Sequence, residues 1–444
     1  MTKPQLPPGF DFTNPDVYAA RLPTEELRQL RHAAPVWWNE QPPGVGGFTD
    51  GGYWVVSRHR DVREISRRSD EFSSAQNCIV PRYVNEEAAR GQIEAGRFSM
   101  INMDAPQHTR MRKIVSRGFT PRAVDRLRAD LTQRARQIVA DAATAKTGDF
   151  VAQVASELPL QLIAGLLGVS FEDRSKLFHW TNQMVGDEDP EFAGSEALAS
   201  AGELMFYGMQ LAAHKAEHPG DDIVTHLITA DVDGHKLSDE EFGLFMVTLT
   251  VAGNETTRNS ITQGMMAFLE NPEQWETFMA QRPVTAADEI IRWATPITAF
   301  QRTALRDIEL GDVPIKQGQR LALFYRSANF DEDVFDDPFS FNVLRDPNPH
   351  LSFGGTGAHY CLGASLARLT IELMFNAIAD LMPDLTSLAT PERLRSGWLN
   401  GIKHWQVDYT GTCPVAHCLN RIPPDYFVCV TSRGRVCCAF ISTR

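Results

Sequence analysis

The stretch Pro349-His-Leu-Ser-Phe-Gly-Gly-Thr-Gly-Ala-His-Tyr-Cys-Leu-Gly-Ala-Ser-Leu-Ala-Arg368 decides the reading of this chain. It passes from an extended segment through a glycine-rich loop to one cysteine, Cys361, and then into a helical pattern. Leu362, Leu366, Leu369 and Leu373 fall on one stripe, and Pro383 stops the pattern. Gly354, Gly355 and Gly357 permit positive φ and leave room for a close neighbour. Cys361 therefore sits at or just before a helix N-terminus, where the dipole and the free N–H groups are expected to lower a thiol's pKa. A thiolate approached by glycines suits a flat, metal-centred ligand lying on the loop.

Three plainer readings compete with that one. A lone cysteine is most often a buried structural residue. A phosphate cradle would need a third glycine where Tyr360 stands, and no Gly-Lys-Ser/Thr follows. A zinc site would need a second Cys or His at ligand spacing around Cys361, and there is none. The loop by itself leaves the structural cysteine open; the weight comes from what precedes it.

Phe353-Gly-Gly-Thr-Gly-Ala-His359-Tyr-Cys361-Leu-Gly363 resembles the haem-binding loop of the cytochrome P450 family, the haem-thiolate monooxygenases. The resemblance implies haem b (iron protoporphyrin IX) as cofactor and Cys361 as the protein ligand to its iron. It also places His359 and Gly363 among the cofactor-binding residues. The family's usual phenylalanine lies seven residues before the cysteine, whereas Phe353 lies eight before. The longer loop is similar to a variant found in actinobacterial sterol-oxidising members.

Earlier motifs fit the same picture. Pro106 opens a helix that puts His108 and Arg112 at i and i+4 on one face. Periodicity alone favours a solvated basic face. The segment resembles the family's helix whose His and Arg meet the haem propionates, and Arg suits a carboxylate geometrically. Ser238-Asp-Glu-Glu241 is a capping box, and no breaker follows before Asn271-Pro272, so a helix about 50 Å long is expected. In its middle lies Ala252-Gly-Asn-Glu-Thr-Thr257. The plain reading is a kink with a threonine bonded back to a carbonyl. The motif matches the family's oxygen-activation segment. Gly253 would then open space for a ligand, Thr256 would supply a hydroxyl and Glu255 would supply protons. Heterolysis of an O–O bond consumes two protons, which an acid–hydroxyl relay delivers.

Glu289 and Arg292 at i, i+3 are by themselves an ordinary helix pair. They resemble the family's structural Glu-x-x-Arg pair, with Arg345 a third partner. Thr295 to Arg302 resembles the strand that passes the haem, with Arg302 the candidate for a propionate. Arg395 to Val407 reads as a hairpin turning at Asn400-Gly401.

A net charge of −13 argues against general nucleic-acid binding. The N-terminus carries no apolar run of signal or spanning length, so a cytoplasmic protein without a membrane anchor is expected. The resemblance runs from roughly Leu6 to His417. It implies a mainly α fold with small β-sheets, the cytochrome P450 fold, as a single domain over 1–417. Residues 418–444, with Cys418, Cys429, Cys437 and Cys438, have no counterpart in that resemblance. They are expected to be a disordered tail without an assigned role.

The activity implied is insertion of one atom of O2 into a C–H bond. Electrons would come from ferredoxin and an NAD(P)H-dependent ferredoxin reductase, with Arg110, Lys113 and Arg368 as docking cations. Pro7-Pro-Gly-Phe-Asp-Phe12, Ala252 to Gln263 and Ser396 to Trp405 are similar to the steroid C26/C27-monooxygenases of cholesterol-degrading actinobacteria. That likeness implies oxidation of the terminal side-chain methyl of cholesterol or cholest-4-en-3-one. Val80, Val251, Ile297 and Trp398 are the candidate substrate contacts. Terminal hydroxylation of methyl-branched fatty acids is the nearest rival. A non-catalytic haem-thiolate sensor is the rival of another class, and it has no use for Glu255 and Thr256.

Overall fold

One helix, Asp239–Glu270, runs for 32 residues through the interior. Its first turn is closed as the sequence predicts. The Glu241 N–H donates to Ser238 Oγ at 3.1 Å, and the Ser238 N–H donates to Glu241 Oε2 at 3.0 Å. It stops at Asn271, and Pro272 opens the next helix, Pro272–Gln281. Helices Glu157–Leu166, Ala197–Glu217, Ala286–Ala294 and Ala364–Leu381 pack against it. The main core forms between them, with Leu158, Ile261, Met265, Phe268, Phe375 and Ile378 fully or nearly fully buried. This computed structural model describes residues 4–410 apart from 170–172, 187, 193–196, 221–222, 232–233 and 235, together with 429–432 and 435–438.

The largest sheet has five strands in the order Val36–Glu40, Gly52–Val56, Arg320–Phe324, Ala299–Ala304 and Phe72–Ser73. Arg320–Phe324 is central and buried at every position, parallel to Gly52–Val56 and antiparallel to Ala299–Ala304. Burial on both faces explains its continuous apolar run after Arg320. The remaining sheets are small, so the molecule is mainly helical with minor β elements, as the resemblance implies.

Glu289 and Arg292 are a structural pair. Both are fully buried, and Arg292 Nε and Nη2 each donate to the Glu289 carboxylate at 2.8 Å. Arg345 Nε joins at 3.1 Å, as the sequence predicts. The other Arg292 donors reach the carbonyls of Asn329 and Pro338 at 2.9 Å. The pair thus ties its helix to the irregular chain that leads into the cysteine loop.

Further helices complete the fold, and one expectation, the late hairpin, is corrected. Between residues 77 and 97 lies the helix Glu86–Gly96, started by Asn85, whose side chain accepts from the Ala88 N–H. Pro121–Asp125 and Arg128–Ala145 are two separate helices. The late hairpin pairs Glu392–Arg393 with Ile402–His404, but its connection is the whole 394–401 segment rather than a two-residue turn. Asn400 is buried there, donating to the Ala294 carbonyl and to Gln263 Oε1. Of the 418–444 tail, the described residues are one antiparallel strand pair, Cys429–Ser432 with Arg435–Cys438; the rest of that expectation lies outside the described residues.

Candidate active site

A cavity of about 530 Å³ lies between the long helix, the cysteine loop and the strand Ala299–Ala304. Every cofactor, proton or substrate candidate read from the sequence lines it. These are His108, Arg112, Arg302, His359, Cys361, Gly363, Glu255, Thr256, Val80, Val251, Ile297 and Trp398.

Cys361 reaches this space because its loop folds back on itself. The Cys361 N–H donates to the Phe353 carbonyl at 2.9 Å, and Gly354 and Gly355 take φ of 89° and 66° to make the turn. Gly357 serves a different purpose: a Cβ there would stand 1.5 Å from the Ser66 carbonyl oxygen, so it lets the loop lie against a neighbouring helix. The helix Ala364–Leu381 starts two residues later than the cysteine needs for an N-cap contact, since Gly363 is the cap. The lowered thiol pKa expected from the sequence is not found. Cys361 is exposed to the cavity, yet desolvation deep in the fold raises its thiol pKa, opposed by the Gly363 N–H and the guanidiniums of Arg112 and Arg368. A cation bound to the sulfur would deprotonate it outright.

The second feature is a pair of guanidiniums, beside His108 and His359, with no carboxylate in ion-pair range among the described residues. Arg112 and Arg302 hydrogen-bond only to carbonyls, those of Tyr360 and Gln301 (2.7 Å for the latter). Among the described residues neither has a carboxylate in ion-pair range. Burial lowers the pKa of both, and burial with Arg112 and Arg302 nearby lowers that of His108. The His359 ring lies 4.1 Å from that of His108, and its Nε2 is 3.2 Å from Ser74 Oγ. Burial and the same cations push His359 down to about 2. Buried cations that oppose one another call for an anion.

These residues fit a haem. Two propionates would complement His108, Arg112 and Arg302, and Gly363 has open space where a Cβ would stand. Among the described residues no three His, Cys, Asp or Glu side chains are grouped to hold a metal. A metal at Cys361 must therefore bring its other ligands with it, as a porphyrin does.

The third feature is the middle of the long helix. The Thr256 hydroxyl donates to the Ala252 carbonyl at 2.6 Å, the back-bond of the plain reading. Glu255 is buried, one oxygen paired with Arg258 and the other, Oε1, without a hydrogen-bond partner. Burial raises its pKa, with Arg258 opposing. Gly253 has a packing role besides its place at the cavity. It lines the cavity, but a Cβ on it would meet Ile163 Cδ1 at 2.6 Å, so its smallness admits a core side chain.

The remaining wall is apolar. Val251, Ile297 and Trp398 pack with Leu394 and Leu399, and the Thr298 N–H holds the Trp398 carbonyl at 2.8 Å. Sequence reasoning missed Ser74, which positions His359, Arg258, which holds Glu255, and Tyr325, which lines the cavity beside the cations. Arg258 stands three residues after Glu255 and was readable as an i, i+3 pair. Ser74 and Tyr325 carry no local signal, because sheet pairing and loop packing bring them in.

Comparison with known proteins agrees with this geometry. Residues 280–379 match the family model described as cytochrome P450. The chain is 67% identical over 418 residues to a steroid C26-monooxygenase of Mycobacterium tuberculosis, covering 94% of this chain and 96% of that one. It is 59% identical over 420 residues to a steroid C26-monooxygenase of Rhodococcus jostii, covering 94% and 89%. A methyl-branched lipid omega-hydroxylase of Mycobacterium tuberculosis is 39% identical over 392 residues, covering 86% and 90%. A solved Mycobacterium marinum cytochrome P450 in complex with pseudoionone superposes with a TM-score of 0.81 at 34% identity, covering 88% and 96%. No described helix is long and apolar enough to cross a membrane. The chain belongs to the cytochrome P450 family and is a monooxygenase of that family.

Proposed function

We propose that the enzyme oxidises the terminal methyl group, C26 or C27, of a steroid side chain, with cholesterol or cholest-4-en-3-one as substrate. The observation that carries this reading is the single cavity that holds a thiol, a cationic wall and an apolar wall together. The steroid assignment is supported by 67% identity to a steroid C26-monooxygenase against 39% to a methyl-branched lipid hydroxylase, at similar coverage. Haem b, when bound, supplies oxygen activation at its iron. The chain's own residues do the rest. Cys361 would hold the metal, and His108, Arg112, Arg302 and His359 would orient the carboxylate edge. Gly363 leaves room for the ring. Val80, Val251, Ile297 and Trp398 exclude water around the substrate. Glu255 delivers protons, and Thr256 carries them into the cavity once its hydroxyl turns from the Ala252 carbonyl.

Ferredoxin, reduced by an NAD(P)H-dependent reductase, is the electron donor in this reading. Of the docking cations proposed from the sequence, Arg110 is paired with Glu241, and Arg368 donates to Asp288 at 2.7 Å. Docking on those two would compete with intramolecular carboxylates. The deciding experiment is a substrate-induced spin-state titration with cholest-4-en-3-one and with a methyl-branched fatty acid. It is followed by reconstitution with ferredoxin and reductase and mass analysis of the product. Tighter binding and side-chain oxidation of the steroid support the proposal; oxidation of the branched acid alone refutes it.

A further inference from the structure

The far end of the helix Ala197–Glu217 carries two histidines one turn apart, in the sequence His214-Lys-Ala-Glu-His218. That spacing puts both side chains on one helix face. Here they meet: the ring centroids are 4.6 Å apart and the planes are inclined by 25°. Both residues are exposed. His218 lies just past the helix end, where its backbone N–H still donates to the His214 carbonyl at 2.9 Å. Its ring Nδ1 is 3.2 Å from the same carbonyl oxygen. A carbonyl can only accept, so Nδ1 carries the proton and the lone pair of the neutral ring is on Nε2. A backbone carbonyl that fixes the tautomer in this way is the usual support of a metal-bound imidazole. Among the described residues no carboxylate is in ion-pair range of either ring. The carbonyl end of a helix is partially negative and the chain carries a net charge of −13, so a cation is favoured here on both counts.

We propose that His214 and His218 bind a divalent transition-metal ion, of the zinc, nickel or copper type, at the surface end of this helix. Water completes the coordination. Imidazole selects these ions over magnesium and calcium, which take oxygen ligands. Two histidines at i and i+4 are a known geometry for one shared ion. The site lies outside the chamber, since neither histidine lines it. The same helix reaches the chamber at Ala201 and packs along the central helix Asp239–Glu270. A bound ion ties down its final turn and stabilises the folded chain according to its occupancy.

The test uses the full haem-loaded chain, stripped of adventitious metal with a chelator and titrated with Ni2+ by calorimetry. The chain holds 12 histidines and 7 cysteines, so the readout is the one site lost on substitution rather than total uptake. Losing a ligand costs at least as much as losing the partner that supports it. His214→Gln and His218→Gln should therefore each weaken one Ni2+ site by about 10–100-fold. Ni2+ should raise the Tm of the unaltered protein and leave that of either variant unmoved. Zn2+ should displace Ni2+ from the site, and Mg2+ should not. An unchanged thiolate-type CO spectrum and steroid Kd show that both variants are folded. Should either variant keep every Ni2+ site within about threefold of its original affinity, the shared site is overturned. The proposal also fails if the unaltered chain takes up no Ni2+, or if Mg2+ competes as well as Zn2+ does.

Discussion

Arg292 grips Glu289 through two parallel hydrogen bonds of 2.8 Å, and neither side chain is exposed. The Asn342 N–H and Asn348 Nδ2 also donate to that carboxylate, at 2.9 and 3.1 Å. Glu289→Ala would leave two buried guanidiniums, those of Arg292 and Arg345, without their shared anion. Breaking one side of a buried pair costs about 3–5 kcal/mol. The expected result is a loss of that size in urea denaturation, together with poor haem retention. A loss below about 1 kcal/mol would show that the pair is dispensable.

Glu255→Gln keeps the shape of the side chain and removes the acidity on which its proposed role rests. Product formation should fall about 100-fold or more, within the range of general acid catalysis, with the substrate Kd unchanged. NADH oxidation should continue and end as peroxide or water instead of alcohol. A rate of product formation within twofold of the unaltered enzyme would remove Glu255 from the proton path.

Gly253→Ala tests the contact of that residue with Ile163. Alanine gains helix propensity of about 1 kcal/mol, but its Cβ overlaps Ile163, an overpacking that costs about 1–3 kcal/mol. The single variant should be neutral or destabilised, and adding Ile163→Val, which removes Cδ1, should recover the helix gain. If the double variant is no more stable than Gly253→Ala alone, the contact with Ile163 is not what fixes glycine here. Thermal melts of the four proteins decide it.

His404 gives a pH dependence with a defined sign. Burial alone would lower its pKa, but hydrogen bonds to Asp149 at 2.7 Å and Glu191 at 2.8 Å outweigh that and raise it. A raised folded pKa means that the charged ring stabilises the fold fully below the ordinary value of about 6.5, and that this is lost as pH rises through the folded value. His404→Gln should therefore lower Tm near pH 6 and leave it unchanged near pH 9. An equal loss at both would assign the effect to packing.

Much of this molecule was legible because the signals are local. Ser238 and Glu241 define a helix start within four residues, and Cys361 with its glycines defines a loop. Glu289, Arg292 and Arg345 became a triad only through resemblance, since spacing says nothing about burial. What was missed has a common cause. The contact between Gly253 and Ile163 was not visible in one helix's pattern, because Ile163 comes from another helix. Asn400-Gly401 has the composition of a tight turn, yet Gln263 and the Ala294 carbonyl claim the Asn400 amide. Tyr325 and Ser74 reach the site through sheet pairing and loop packing that no short window contains.

The Glu241 carboxylate has a second partner besides its own helix start. One oxygen accepts from the Ser238 N–H, and the other holds Arg110, which sits between His108 and Arg112 on the helix Gln107–Val115. The two helices that face the cavity are thus riveted together at a single side chain. The helix that carries Glu255 and Thr256 is thereby joined to the helix that carries His108 and Arg112. A substitution at position 241, outside the chamber, would be felt inside it as a change in alignment rather than in composition.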